Sequence, residues 1–132
     1  MMTFADGKIC YLEIPTSDFQ ASAAFYRQAF SWRIRRNGEG ATAFDDTVGG
    51  VSGMWVTGRQ PSSNPGLVVH IMVADIEAAV DAVTGAGGAI AQPFDPDAGE
   101  KYALFRDPAG NVLGIYQENS LTAANRRESP DG

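Results

Sequence analysis

Leu67-Val68-Val69-His70-Ile71-Met72-Val73 runs directly into Ala74-Asp75-Ile76-Glu77-Ala78-Ala79-Val80. The first stretch is apolar and rich in β-branched residues around the chain's single histidine, the make-up of a buried strand. Asp75 then stands where a helix N-cap belongs, and Ile76, Ala79, Val80 and Val83 recur at i, i+3, i+4, i+7. Gly85-Ala86-Gly87-Gly88 ends that helix. Three short strands are expected after it, over 89–92, 102–106 and 112–118. The last two are joined by the turn Asp107-Pro108-Ala109-Gly110-Asn111. The unit reads βαβββ.

The same order precedes it. Residues 8–14 read as a strand, which Pro15-Thr16-Ser17-Asp18 breaks, with Ser17 or Asp18 as the N-cap. Phe19, Ala23, Tyr26 and Phe30 then recur at helical spacing. Strands over 32–36 and 41–45 flank the turn Asn37-Gly38-Glu39-Gly40, and Thr47-Val48-Gly49-Gly50 leads into a strand over 51–57. Phe44, Asp46, Gly49, Val51, Gly53 and Trp55 lie 61 residues before Phe105, Asp107, Gly110, Val112, Gly114 and Tyr116, similar pair by pair. Asp18 and Phe19 correspond to Asp75 and Ile76. The expected organisation is one α+β domain over 1–132. It comprises module one at 7–57, a Pro/Ser/Gly-rich linker at 58–66, module two at 67–118 and a frayed tail at 119–132. Paired modules of this kind are expected to form a curved mixed sheet around a cleft.

A chain of 132 residues buries a sizeable core without a staple. A net charge of −6 argues against a nucleic-acid partner, which needs a basic surface. Arg33, Arg35 and Arg36 are the basic cluster of the folded part; alternation places Arg33 and Arg35 on one strand face, so a solvated edge is expected rather than an anion site. Cys10 is alone, so no intrachain disulfide forms, and its apolar neighbours imply a buried, inert thiol. Residues 1–8 contain no apolar core of a signal peptide, and no apolar run reaches membrane-spanning length. A cytoplasmic protein with no membrane partner is expected.

Four phrases carry a family resemblance: Ile9-Cys10-Tyr11-Leu12-Glu13-Ile14-Pro15, Ala24-Phe25-Tyr26 with Phe30-Ser31-Trp32, His70-Ile71-Met72-Val73-Ala74-Asp75-Ile76, and Phe105-Arg106-Asp107-Pro108-Ala109-Gly110-Asn111. Together they resemble the vicinal oxygen chelate superfamily, which includes glyoxalase I, extradiol dioxygenases and bleomycin-resistance proteins. The resemblance is closest to proteins related to lactoylglutathione lyase. It implies four cleft-facing metal-ligand positions, here Tyr11, Gly53, His70 and Gly114, of which only His70 is a usual ligand. No metal cofactor is therefore expected, a divalent ion being the alternative. The resemblance also implies a homodimer, with each cleft built within one chain or across two.

Strand alternation divides the residues into two faces. Cys10, Leu12, Ile14, Met54, Val56, Val69, Ile71, Val73, Leu113 and Ile115 are expected against the helices. Ile9, Tyr11, Glu13, Val51, Gly53, Trp55, Thr57, Val68, His70, Met72, Val112, Gly114 and Tyr116 are expected in the cleft, a mixture of aromatic, small and polar groups suited to a ligand. The expected ligand-binding residues are Tyr11, Glu13, Trp55, His70, Met72, Tyr102 and Tyr116, with Phe94 at the rim. His70 reads as a hydrogen-bonded core residue, a ligand contact able to act as acid or base, or a metal ligand. Glu13 reads as a partner of His70, or as a group at the cleft mouth or a subunit interface. Trp55 and Tyr116 either stack on a planar ligand or fill the cleft floor. The function these readings favour is binding of a small aromatic or amphipathic molecule, by sequestration or with metal-free chemistry. The alternatives are a metal-dependent lyase or isomerase resembling lactoylglutathione lyase, and an interaction module with a filled cleft. No phosphate loop, nucleophile elbow or cysteine cluster is present.

Overall fold

A computed structural model describes residues 5–119. The element order is β1 (Tyr11–Pro15), α1 (Phe19–Phe30), β2 (Arg33–Arg36), β3 (Thr42–Asp45), β4 (Ser52–Val56), β5 (His70–Val73), α2 (Ile76–Gly85), β6 (Ala89–Gln92), β7 (Tyr102–Arg106) and β8 (Val112–Gln117). The βαβββ repeat is present as expected. β1 and β5 begin three residues later than the apolar runs suggested. The tail expected at 119–132 lies outside the described residues but for Asn119.

The strands form two four-stranded mixed sheets, ordered β1-β4-β3-β2 and β5-β8-β7-β6, where one curved sheet was expected. In each, the first and last strands of the module run parallel side by side in the sheet. Both helices are capped as the sequence implies: Asp18 accepts from the Ala21 N–H, and Asp75 from those of Glu77 and Ala78. The Ile76 N–H is also taken, by the Gln117 side chain at 3.0 Å. Ser31 ends α1 in the left-handed region at φ 61°.

The helices pack on each other and share one core with the inner faces of both sheets. Phe25 and Tyr26 of α1 and Ile76 and Val83 of α2 are fully buried there. An aromatic column runs through module one: Tyr26 stacks on Trp32 at 4.6 Å between ring centroids, Trp32 on Phe44 at 4.5 Å, and Phe44 meets Trp55 at 5.0 Å. Phe25 and Phe30 extend it to Phe105 of module two.

A buried polar network joins the modules. The Tyr26 hydroxyl donates to Asp107 Oδ2 at 2.8 Å. Asp107 also accepts the backbone N–H groups of Ala109 and Asn111. The Asn111 amide donates to the Pro15 carbonyl and accepts from the Ser62 N–H, both at 2.8 Å. The Ser62 carbonyl in turn accepts from the Val112 N–H. One turn thus fixes α1, the end of β1 and the linker, and its buried polar groups are satisfied. The Asp107–Asn111 phrase that marked the family is therefore a structural joint.

One expectation fails for a reason of register. Phe105 stands opposite Leu113 in the second sheet, but Phe44 stands opposite Gly53 in the first. The structural offset is 61 residues up to the turn and 60 after it, because the first turn holds one extra residue. Asp46 N–H closes on the Val51 carbonyl, whereas Asp107 N–H closes on Asn111. A one-residue slip turns every side chain of a strand over. Gly53 and Trp55 therefore face the core, paired with Leu12 and Ile14, and Met54 and Val56 face outward. Trp55 is fully buried.

Candidate functional site

The outward face of the second sheet gathers most of the expected site. Met72 stands opposite Tyr116, and Tyr116 opposite Tyr102, so three large side chains form a row across β5, β8 and β7. His70 stands opposite Gly114 in the next row, with its ring edge-on to Tyr102 at 6.0 Å. Met72 is 59% exposed and Tyr102 48% exposed, and His70 is open to solvent. Of the readings of His70, the core residue is excluded. The Glu100 carboxylate pushes the Tyr116 phenol up from its ordinary pKa, with burial and Glu118 adding to it.

Gly114 has a specific use here. A Cβ at this position would run into the His70 ring. The space is thus filled by the histidine lying across the strand, an aromatic closing in. Gly53 is used in the same way on the opposite face, where the Phe44 ring and the Leu12 carbonyl occupy the place of a Cβ.

The first sheet presents a more polar face. Glu13 stands opposite Met54, and Tyr11 opposite Ser52. Glu13 accepts from Arg59 at 2.8 Å, so its partner is Arg59 rather than His70. Arg35 pairs with Asp45 at 2.9 Å, and Ser52 donates to the same carboxylate. Both bonds, with Arg35 the stronger influence, hold Asp45 below the usual carboxylate range. Tyr11 is 45% exposed. Arg33 and Arg35 share this face, opposite Asp45 and Ala43, the solvated edge the sequence implies.

Three expected placements are corrected. Trp55 belongs to the core beneath Tyr26 and Phe44, and its repeat counterpart is Ile115 rather than Tyr116. Phe94 is partly buried against that core. Cys10 is exposed, not buried, and lies one residue before β1. The sequence signal for the Trp55 reversal was the doublet Gly49-Gly50, set against the single Gly110.

The register also redefines the equivalent positions. Glu13 opposite Met54 matches His70 opposite Gly114, and the 57-residue offset of the caps Asp18 and Asp75 agrees. The donors at these four places are a carboxylate already bound by Arg59, a thioether, an imidazole and nothing. Among the described residues no group of three or more His, Cys, Asp or Glu side chains could hold a metal ion. This set does not fit a divalent metal within one chain.

Comparison with known proteins agrees with the geometry. The sequence model of the glyoxalase-like domain matches residues 11–116. CFP32 of Mycobacterium bovis and of Mycobacterium tuberculosis are each 27% identical over 124 residues, covering 88% of this chain and 48% of theirs. The chain thus spans about half the length of the curated relatives it matches. A superfamily member from Sphaerobacter thermophilus superposes with a TM-score of 0.70 at 18% identity, covering 85% of this chain and 98% of its own. TnmS3 from a Streptomyces species, described as an antibiotic binding protein, gives 0.65 at 21% identity over 89% of this chain and all of its own. Among the described residues no helix is long and apolar enough to cross a membrane.

Proposed function

The chain belongs to the glyoxalase-like domain family, within the glyoxalase, bleomycin-resistance and dioxygenase superfamily, and from that premise we propose that it binds a small aromatic or amphipathic molecule on the outward face of its second sheet, without a family-type metal centre. The observation that carries this reading is the row Met72, Tyr116 and Tyr102 beside His70, an apolar and aromatic surface left open to solvent. Aromatic faces and a thioether favour a planar ligand, and the imidazole supplies one hydrogen-bonding group that fixes its orientation. His70 is also the group placed to move a proton in any metal-free chemistry at this face.

A second copy of the chain completes the cleft in this proposal. Both outward faces are bare, and β1 and β5 are edge strands of their sheets. Relatives about twice as long have room for two such units in one chain. A homodimer would place the first-sheet face of one copy, with Tyr11 and Glu13, across from the His70 face of the other.

The test is equilibrium dialysis of the purified protein against a panel of antibiotics, since TnmS3 is described as an antibiotic binding protein, with aromatic ones chosen to suit the Met72, Tyr102 and Tyr116 row. At least one is expected to bind, and Tyr116→Ala and His70→Ala should each weaken it about tenfold or more. Binding that survives both substitutions refutes this site.

One observation favours a second reading, a metal-dependent lyase. Glu13 and His70 hold equivalent places on the two sheets, so a dimer could bring both to one cleft. Turnover of the methylglyoxal–glutathione adduct that a chelator and His70→Ala both abolish would establish it over the first.

A further inference from the structure

A groove of about 500 Å³ lies between α1 and β2, away from both outward sheet faces. Phe19, Ala23 and Arg27 line it at i, i+4, i+8, one stripe of the helix. Ile34 and Arg36 line it from the strand, both on the side of β2 that Phe44 shares. Its lining holds no acidic residue. Arg35 also reaches it but is neutralised by Asp45. Arg36 gives one N–H to the Gly40 carbonyl at 2.8 Å and keeps its charge uncompensated. Among the described residues neither Arg36 nor Arg27 has an ion-pair partner.

Two unneutralised arginines from different elements thus line one groove in a chain whose net charge is −6. Beside them is an apolar floor that includes Phe19, 38% exposed. The volume lies in the range of small-molecule sites. Guanidinium groups match planar oxyanions through paired N–H donors. We propose that this groove binds an amphipathic carboxylate, with its hydrocarbon body on Phe19, Ala23 and Ile34 and its head between Arg27 and Arg36. This site is independent of the sheet face described above.

The experiment is an amide NMR and calorimetric titration of the full chain with decanoate, kept below its micelle-forming concentration. Decyltrimethylammonium serves as a comparator with the same tail and opposite charge. Decanoate should shift Phe19, Ala23, Arg27, Ile34 and Arg36, and the cation should not. The double variant Arg27→Gln/Arg36→Gln should weaken decanoate about tenfold, and Arg27→Lys/Arg36→Lys, which restores the charge without the paired donors, should recover only part of that loss. Arg33→Gln, on the outward face, should leave binding unchanged. Equal shifts from both amphiphiles, unchanged affinity in the glutamine variant, or shifts confined to the second sheet would each overturn the proposal. The last outcome would leave the ligand face at His70 standing while removing this one.

Discussion

Alanine at Gly53 and at Gly114 should have very different costs. Sequence similarity makes the two glycines equivalents, but the strand register places them on opposite faces. At Gly53 the new methyl meets the backbone carbonyl of Leu12 on the paired strand and the fully buried Phe44 ring. Neither can leave: the carbonyl belongs to the sheet, and the ring is wedged between Trp32 and Trp55. Overpacking of a close-packed core costs roughly 1–3 kcal/mol, and a fixed carbonyl puts this site at the upper end. The entropy that alanine removes from the unfolded chain returns about 0.4–1 kcal/mol. A net loss of about 2 kcal/mol is expected for Gly53→Ala. At Gly114 the atoms nearest the methyl all belong to the ring of His70, an exposed side chain that can rotate into solvent. Even a side chain forced off its rotamer costs only about 0.5–1.5 kcal/mol, and the same entropic return leaves a net change within about 1 kcal/mol. Equilibrium urea unfolding of both variants at one protein concentration reads the difference as a shift in midpoint at constant slope. Equal destabilisation by the two substitutions, or a neutral Gly53→Ala, would refute the register argument. Gly114→Ala should also move the His70 ring resonances, because the histidine can no longer lie over the strand.

Three further substitutions, Tyr26→Phe, Asn111→Ala and Trp55→Phe, test the core and the joint. Tyr26→Phe removes the hydrogen bond to the buried Asp107 carboxylate and should cost about 1.5–3 kcal/mol by urea unfolding. Burial first, and Asp107 second, push the Tyr26 phenol well above its ordinary pKa. The protonated form is thus favoured in the folded state. Its stabilising contribution is complete below the unfolded value near 10 and declines as pH rises beyond that. Wild-type stability should consequently fall more steeply above pH 10 than that of the Tyr26→Phe variant. Asn111→Ala leaves the Ser62 N–H and the Pro15 carbonyl without their partner, and thermal unfolding should show a loss of about 2–4 kcal/mol. Trp55→Phe should cost under about 2 kcal/mol, because the indole N–H it deletes is buried without a hydrogen-bond partner. The same variant should leave ligand affinity at the His70 face unchanged, whereas a tryptophan lining the cleft would weaken it severalfold.

Local chemistry determined much of this protein. The N-caps Asp18 and Asp75, the helical stripes, the turns at Asn37–Gly40 and Asp107–Asn111 and the repeat itself depend on near neighbours, and these the chain states directly. The second-module face, with His70, Met72, Tyr102 and Tyr116 together, was also legible, because alternation along β5, β7 and β8 carries no insertion. Three things were decided only by tertiary structure. The extra residue before Val51 turned β4 over, and side-chain similarity at the longer offset concealed it, so Trp55 went to the core and Met54 to the surface. Glu13 found Arg59, a linker residue whose approach no local pattern encodes. Asp107 and Asn111, which read as a turn, became the joint that receives Tyr26, Pro15 and Ser62 from distant parts of the chain. All three depend on partners distant in sequence, which no local pattern names, and the β4 reversal shows the physical reason most clearly. Periodicity specifies which residues share a face of an element, but a strand has two faces, and which one is buried is fixed only when its partner sets the register.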